Sequence, residues 1–458
     1  MTYIIRIAGN RHDDNFYLPL KLTVSYLIGT LLLYQFGPIA WITYKPLLFY
    51  ALQTLYILFF VWGYRKGIRS SSRPVLSWRE CDTQKLLRFL PVFILCSMTL
   101  TFLTNMRNYA MNEINFSSII QRLLLGLRDF GAGYKMKIQQ GANLTSRNAF
   151  GGYLFTTINL LWSFLDYNVL FLGMLYWKKE KPLLKVLSLS LVFEVILTYL
   201  SIGTNIGVFR IVIAVVVFLV IHSQRKSILS IILSMFERKK LPNKRVLLAS
   251  VLLLLVFLVY FTSTMKARRA FDNWESVSFN IGGIGLNYDS VFLRFLPAFL
   301  VIPLISITSY LTQGLYAFSL SLEVPWVPMF GLGGSMWIVD MISKRVDINQ
   351  FTYQHRIMEA FHWDERVQWA SMYTWAGNDI SLYGVILLMY VIGYFFALAY
   401  RDCMTTENPF ARLLVVYFTI MCIFMPANNQ IMQNGYSHLA FIGAFVAWLV
   451  TTRVRVRI

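Results

Sequence analysis

Acidic, basic and imidazole side chains crowd into one stretch of the chain, "YQHRIMEAFHWDERVQW" at residues 353–369. A transfer reaction on a hydroxyl needs a base within hydrogen-bond reach, and imidazole titrates close to neutrality. We therefore prefer His355 or His362 as the base. The alternative interpretation is a solvated amphipathic helix, because residues 356, 359 and 363 share one helical face. The candidate acid–base residues of this stretch are His355, Glu359, His362, Asp364 and Glu365, and Glu323 is an outlying candidate.

Aromatic residues are interleaved with these charges. Aromatic rings beside carboxylates and guanidinium groups form surfaces on which sugars stack and hydrogen-bond. The stretch as a whole therefore favours a binding function over a merely solvated helix. The candidate sugar-binding residues are Tyr353, Trp363, Trp369 and, further along the chain, Asp379.

Arg210 lies inside an apolar run, "YLSIGTNIGVFRIVIAVVVFLVIHS" at residues 199–223. A guanidinium costs at least about 2.5 kcal/mol in the bilayer centre, so it usually either reaches the lipid head groups or holds an anion. Gly203 and Gly207 allow close backbone approach, which favours a phosphate held through two parallel hydrogen bonds. The other candidate anion-binding residues are Arg268, Arg269, Arg356 and Arg366.

The composition is that of an integral membrane protein. Of 458 residues, 57% are hydrophobic and 14% charged, and several apolar runs reach the length of about 20 residues that spans a bilayer. The net charge of +20 falls largely in short loops, which indicates membrane orientation and anionic lipid rather than nucleic acid. Four cysteines give no case for a disulfide, and no cluster has metal-ligand spacing.

The elements that position these residues are predicted to be membrane-spanning helices. Together they predict an all-α, polytopic bundle of about 10–12 transmembrane helices in a single domain over residues 1–458. The ten segments predicted to cross are 20–40, 46–63, 87–105, 152–177, 183–202, 206–222, 246–264, 381–400, 410–426 and 436–452.

Basic loops orient this bundle, because positive residues stay on the cytoplasmic side. Placing 65–73, 178–181, 237–245 and the basic C-terminus inside is self-consistent, and it puts both termini in the cytoplasm. The same assignment predicts a long periplasmic loop at 324–380. The segments 106–151 and 265–290 are also external, and 117–131 has the apolar period of a helix lying along the outer surface.

The segment "VFLRFLPAFLVIPLISITSYL" (291–311) has two external flanks under this assignment. It must therefore cross an even number of times or not at all, and we expect a re-entrant or interfacial helix pair. Further along, Asn378 and Asp379 stand just before a predicted span, where an Asn or Asp side chain is expected to cap the helix.

At these positions the chain resembles the bacterial O-antigen polymerases of the Wzy type, which polymerise oligosaccharide repeat units. The resemblance is carried by "YLTQGLYAFSLSLE" (310–323), by the long external segment with its polar residue–Asp start of the next span, and by the glycine-flanked "GTNIGVFR" around Arg210. Family members often have Asp-x-Gly at the start of that span, whereas this chain has Asp379 and Ser381.

The resemblance implies a GT-C-like glycosyltransferase at the periplasmic face of the bacterial inner membrane, acting on undecaprenyl-pyrophosphate-linked repeat units. Preorganised cations, with Arg210, Arg268 and Arg269 as first candidates, would stabilise the leaving pyrophosphate. No external Asp-x-Asp pair is present to hold a divalent ion, so we expect metal-independent catalysis without a cofactor. The expected partners are lipid-linked glycans, membrane lipid and a chain-length regulator protein.

Three alternatives stay open. An O-antigen ligase would share the fold and the donor but use a lipid A core acceptor. A flippase for lipid-linked oligosaccharide would need charges deep in several spans and is usually built on repeats. A structural or assembly partner would not need clustered external Arg, His and carboxylate side chains.

Overall fold

The computed structural model describes residues 16–70, 78–109, 116–129, 131–135, 152–233, 244–269 and 281–452. Over these residues the regular structure is helical, and the β-type pairing consists of two isolated bridges, Ile39 with Leu286 and Ile281 with Ile284. The predicted all-α class is therefore confirmed for the described part of the chain.

Helices make up most of the described residues. In chain order they are α1 Leu18–Phe36, α2 Pro46–Arg69, α3 Glu80–Tyr109, α4 Phe116–Arg128, α5 Gly152–Trp162, α6 Asp166–Tyr176, α7 Pro182–Ser201, α8 Ile206–Leu233, α9 Lys244–Arg269, α10 Val291–Phe295, α11 Ala298–Ser321, α12 Met336–Ser343, a 3₁₀ turn Asn349–Phe351, α13 Tyr353–Phe361, α14 Met372–Thr405, α15 Pro409–Phe424 and α16 Gly435–Thr452.

Each of the ten predicted spans falls on one of these helices, with α5 and α6 sharing one span across a bend of 41°. Eight described helices are long and apolar enough to cross a membrane, and the bent pair would make a ninth. By length and composition this is a multi-pass membrane protein. The number of crossings, the orientation and the GT-C-like arrangement stay predictions.

The chain divides into two compact units. The first comprises the described parts of residues 1–73, 273–405 and 417–438, and the second those of 74–272, 406–416 and 439–458. The first unit therefore holds the external segment 324–380, and the second holds α3 to α9.

The framework of the first unit is the pair α2 and α14. The Tyr56 hydroxyl donates to the carbonyl of Leu382 at 2.6 Å. A Cβ on Gly63 would lie 2.0 Å from the carbonyl oxygen of Tyr390, and one on Gly67 would lie 2.5 Å from that of Tyr394. Residue numbers thus rise together along the two helices, so α2 and α14 run parallel with their backbones in close contact.

The segment 291–321 forms an unequal helix pair, the short α10 followed by the long α11. Length and composition alone would let Leu300–Ser321 cross a membrane. However, both flanks contact the α1–α2 connector: Asn287 N–H donates to the Pro38 carbonyl at 2.8 Å, and Lys45 Nζ donates to the Leu322 carbonyl at 2.7 Å. This arrangement supports the expectation that the two flanks lie on one side.

The start of the predicted span at 381 is a break inside α14. Ser381 has φ 63° and ψ 162°, a non-helical conformation, and its hydroxyl accepts from Gly384 N–H at 3.2 Å. Asn378 and Asp379 lie in the preceding helical turn. The expectation that they cap the span is therefore wrong, because the backbone breaks two residues later and Ser381 takes the capping position.

Candidate functional site

The segment 324–380, which is predicted to be external and is called the external segment below, contains three helical elements before α14, and α13 among them carries His355. The hydroxyl of Thr352 caps this helix by accepting from His355 N–H at 3.1 Å. The backbone of His362 ends the helix in the left-handed conformation, with φ 57°. A fixed start and end hold the intervening side chains in register, so His355 has a defined direction.

His355 lies between two carboxylates. Its Nδ1 is 3.3 Å from Oε1 of Glu365, and its Nε2 is 3.5 Å from Oε1 of Glu359. Asn349 Nδ2 donates to the same Glu365 oxygen at 2.7 Å and lies 3.2 Å from His355 Nδ1. Glu365 is the buried member, with 11% of its side chain exposed, against 65% for Glu359. One side of the imidazole is therefore fixed by protein, and the other faces outward.

The other predicted acid–base residues have different surroundings. His362 is exposed on the surface. Asp364 builds the turn that follows α13, since its Oδ1 accepts from Arg366 N–H at 2.8 Å and its carbonyl accepts from Gln368 N–H. The structure thus brings His355, Glu359 and Glu365 together and gives Asp364 a backbone role.

Asp340, on α12, stands near this cluster. Partial burial raises the pKa of its carboxyl, Lys344 and Arg366 oppose the rise, and Glu365 adds to it. Arg366 is exposed, so its guanidinium remains accessible to an anion while it compensates the carboxylates around it.

Arg356 joins α13 to the loop before it. Its Nη1 donates to the Pro325 carbonyl, and its Nε donates to the Thr352 carbonyl at 3.2 Å. The guanidinium carbon also lies 5.0 Å from the centre of the Tyr353 ring. Burial lowers the pKa of Arg356, while nearby Tyr353 and Glu359 oppose that change. These contacts make Arg356 part of the scaffold of the site.

The predicted sugar-binding aromatics pack mostly inside the first unit. Tyr353 and Trp363 are each only 3% exposed, and burial raises the pKa of the Tyr353 hydroxyl to about 12. Trp363 contacts the rings of Tyr316 and Trp41. The ring centres of Trp369 and Tyr310 lie 4.0 Å apart in an edge-on arrangement, and Trp369 is partly exposed. The rings of Tyr353 and Trp363 are thus occupied by protein, and Trp369 keeps an accessible surface.

Asn378 and Asp379 tie the external segment to α14. Asn378 is fully buried, accepts from Tyr353 N–H at 2.7 Å and donates to the Gly333 carbonyl at 2.8 Å. One carboxylate oxygen of Asp379 accepts from Gly331 N–H at 2.8 Å and Gly333 N–H at 2.9 Å. The predicted sugar ligand Asp379 therefore organises a glycine-containing loop.

Arg210 belongs to the second unit and is 2% exposed. Its Nη1 donates to the Tyr167 hydroxyl at 2.7 Å, and that hydroxyl lies 2.7 Å from the Tyr199 hydroxyl. The guanidinium carbon also lies 4.8 Å above the Tyr167 ring. Since the side chain is buried among helices, snorkelling to lipid head groups is the wrong interpretation. The phosphate-binding role stays a prediction.

Gly207, three residues before Arg210, leaves space for a neighbouring aromatic ring. A Cβ on Gly207 would lie 1.9 Å from the Tyr199 ring, so this glycine makes room for the tyrosine that completes the arginine's surroundings. Arg268 and Arg269 end α9, but their side chains lie outside the described residues, so whether they share a hollow with Arg210 stays open.

Sequence reasoning missed the roles of three residues in this site: Asn349, Asp340 and Asn378. Asn378 was expected only to cap a helix, whereas it forms a buried junction. Asn349 follows Asp347, whose carboxylate accepts its N–H at 3.1 Å, and an Asx-turn of this kind marks it only as a loop residue. Its role depends on the Glu365 side chain, sixteen positions away. Among the described residues, no group of three or more His, Cys, Asp or Glu side chains is placed to hold a metal ion.

Comparison with known proteins adds no assignment, since no family model, no curated protein and no solved structure matches the chain.

Proposed function

We propose that this protein is a membrane glycosyltransferase that polymerises undecaprenyl-pyrophosphate-linked oligosaccharide repeat units, of the O-antigen or a related surface polysaccharide, at the periplasmic face of the inner membrane. The observation that carries the proposal is His355, fixed by Glu365 on Nδ1 and facing Glu359 through Nε2 in the external segment. The motif resemblance to O-antigen polymerases names the substrate class.

His355 is the general base in this proposal. The tautomer with hydrogen on Nδ1 donates to Glu365, and Nε2 then accepts the proton of the acceptor hydroxyl as that oxygen attacks the donor sugar. The resulting imidazolium lies between two carboxylates, so its charge is stabilised by Coulomb attraction. Glu365 acts as a positioning residue by accepting from Nδ1, and Asn349 acts as one by donating to Glu365.

The leaving pyrophosphate gains charge as the glycosidic bond breaks, and a guanidinium held in place before the reaction stabilises that charge. Arg366 is the accessible candidate in the first unit. Arg210 is a candidate in the second, where two tyrosines hold it in a span. Arginine then does the work that a divalent ion does in other glycosyltransferases, and no cofactor is required.

Transport of the lipid-linked glycan is the second candidate function, and one observation favours it. Asp166 and Glu194, in two candidate spans of the second unit, interact electrostatically. The Asp166 carboxylate also interacts with the Ser97 hydroxyl. Ionisable side chains inside spans commonly mark a pathway for substrate or protons. Polymerisation remains the better supported function, because transport gives no role to the external His355 cluster.

Deletion of the gene, followed by gel analysis of surface polysaccharide, separates the candidates. Loss of a polymerase leaves lipid A core bearing one repeat unit. Loss of a ligase leaves polymer on the carrier and none on core, and loss of a flippase stops both.

Complementation with two histidine variants then tests the site. We expect His362→Ala to restore the polymer ladder and His355→Ala to leave single-unit core, with both proteins present in the membrane at equal levels. A full ladder with His355→Ala would remove the proposed base.

A further inference from the structure

One stretch of the external segment carries no charge. Residues 324–334, "VPWVPMFGLGG", form what we call the apolar tip, and the charge-rich sequence of α12 to α13 follows it. Three of its large side chains are exposed, Phe330 at 85%, Trp326 at 44% and Leu332 at 43%, whereas Met329 is buried. Exposed apolar residues that adjoin one another in this way mark an interaction surface.

The apolar tip is held in shape by its base. Met329 N–H and Trp326 Nε1 donate to the Asn378 carbonyl at 3.0 and 3.3 Å. The Asp379 carboxylate accepts hydrogen bonds from the backbone N–H groups of Gly331 and Gly333. These hydrogen bonds therefore hold the loop and its exposed side chains in a fixed arrangement.

Phe330 is the least expected residue in this loop. Its φ is 50°, the left-handed conformation that bulky side chains rarely adopt. The side chain is almost fully exposed, so packing within the first unit does not account for its presence. A phenyl ring held outward in a disfavoured conformation has its use outside the chain.

The apolar tip is attached at the start of a candidate membrane span, and this position indicates which surface it would contact. Asn378 and Asp379, which hold it, precede a stripe of exposed apolar residues along α14. Beyond the break at Ser381, with spacings of four positions, this stripe follows one helical face of a candidate membrane span, and lipid would cover an exposed apolar face of a span. The stripe consists of Tyr383 at 63% exposure, Leu387 at 65% and Val391 at 38%, and Ile380, at 40%, lies just before the break.

We propose that the apolar tip docks into the outer leaflet of the bilayer, with Phe330 and Leu332 among the upper acyl chains and Trp326 at the head-group level. The exposed apolar surface then continues from the α14 stripe onto the tip, and an uncharged loop meets no desolvation cost for charge there. Tryptophan is enriched at that depth because its ring is apolar and its N–H is polar. This inference goes beyond the polymerase function and does not depend on it.

Fluorescence quenching in lipid nanodiscs that hold one copy of the full chain tests the docking. An environment-sensitive maleimide dye is attached to Phe330→Cys, or to Leu332→Cys as a second position, in a background with Cys81 and Cys96 replaced by Ser. Leu387→Cys is the lipid-facing reference, and Val367→Cys, 70% exposed in the charged turn, is the aqueous reference.

We expect phospholipid with a nitroxide high on its acyl chain to quench the dye at residues 330 and 332 as strongly as at residue 387. Aqueous iodide should quench these positions far less than residue 367. Iodide quenching at 330 and 332 equal to that at 367 would overturn the proposal. Protection from both quenchers would also overturn it, since that result means that protein covers the tip.

Discussion

Arg210 shows at the residue scale how a buried charge is accommodated. The guanidinium lies over the Tyr167 ring and donates to its hydroxyl, and such contacts replace part of the lost hydration. The same contacts hold the guanidinium in a fixed orientation, so the side chain is preorganised. Preorganisation is what a residue needs if it is to hold a developing charge.

Substitution of Arg210 tests that role. A charge-assisted hydrogen bond is worth about 1.5–3 kcal/mol, so we expect Arg210→Ala to lower polymerisation about 10- to 100-fold. We expect Arg210→Lys to lower it as well, because an ammonium lacks the planar pair of donors. Polymer yield normalised to the protein in the membrane is the measurement. Full activity of Arg210→Ala would refute the phosphate role, and full activity of Arg210→Lys would show that paired donors are unnecessary.

Glu180 gives a pH-dependent prediction. The residue is 6% exposed and accepts from the Ser188 hydroxyl at 3.1 Å, and burial raises the pKa of its carboxyl to about 7. The unfolded value is about 4.3. The folded state therefore binds this proton more tightly, so the free energy of unfolding falls as pH rises from about 4.3 through 7.

Glu180→Gln removes this titration while keeping a side-chain oxygen for Ser188. We expect the variant to gain roughly 2 kcal/mol over the native protein at pH 8 and little at pH 4, measured by thermal unfolding in detergent. Glu80→Gln, at an exposed ion pair with Lys179, is the control, since exposed pairs contribute about 0–1 kcal/mol. A Glu180→Gln effect of equal size at both pH values would contradict the prediction.

At the scale of elements, the break in α14 is the feature that connects span and external segment. Ser381, at φ 63° and ψ 162°, occupies a backbone region that is favourable essentially for glycine alone. Glycine at this position would adopt the same backbone conformation without that strain. This chain keeps serine, whose hydroxyl caps the following helix.

We expect Ser381→Gly to stabilise the protein by about 1 kcal/mol, because relief of a strain of about 1–3 kcal/mol exceeds the loss of one hydrogen bond. Ser381→Ala keeps the strain and loses the cap, so it should destabilise. Thermal unfolding of the two variants side by side is the measurement. A shift in the same direction for both would mean that strain at residue 381 does not decide the stability.

The parallel pair α2 and α14 depends on glycine at the crossing. A Cβ on Gly393 would lie 2.3 Å from the Phe60 carbonyl oxygen, whereas a Cβ on Gly29 of α1 would meet nothing within 4 Å. We expect Gly393→Ala to cost about 1–3 kcal/mol by forcing the helices apart. Gly29→Ala is the matched control and should gain about 0.5–1 kcal/mol. Equal melting temperatures for the two variants would contradict the close crossing.

At the scale of the whole molecule, helix direction bears on topology. Since α2 and α14 run parallel, an odd number of crossings separates the end of one from the start of the other. Among the described helices, α3, the bent pair α5–α6, α7, α8 and α9 are five candidate crossings. If α11 crossed the membrane once, the number of crossings would be six, which is even and does not allow α2 and α14 to run parallel. The parallel packing therefore agrees with both flanks of α11 lying on the same side of the membrane.

Cysteine labelling tests this orientation in cells. The exposed native Cys81 lies in the first turn of α3, at the end that follows the predicted cytoplasmic residues 65–73. Val367 is exposed in the segment that is predicted to be external. We expect a membrane-impermeant maleimide applied from the periplasm to label Val367→Cys, and to label Cys81 only after the inner membrane is permeabilised. Labelling of Cys81 before permeabilisation would reverse the topology.

The sequence by itself determined the helices, because hydrophobic length is a local property that a bilayer selects directly. The predicted spans match the helices to within a few residues at most ends, and the cluster at 353–369 was found from composition alone. Only the tertiary structure decided which of the five acid–base candidates meet. His355, Glu359 and Glu365 come together with Asn349, while His362 and Asp364 end a helix and build a turn.

The same division holds for the arginines and the aromatics. A pattern shows that Arg210 is in an apolar run, but its burial against Tyr167 and Tyr199 depends on three separate helices packing together. Trp363 is predicted on a sugar-binding surface and is instead enclosed by Trp41 and Tyr316. Contacts between residues far apart in the chain follow from packing and backbone breaks such as that at Ser381, and local periodicity does not specify them.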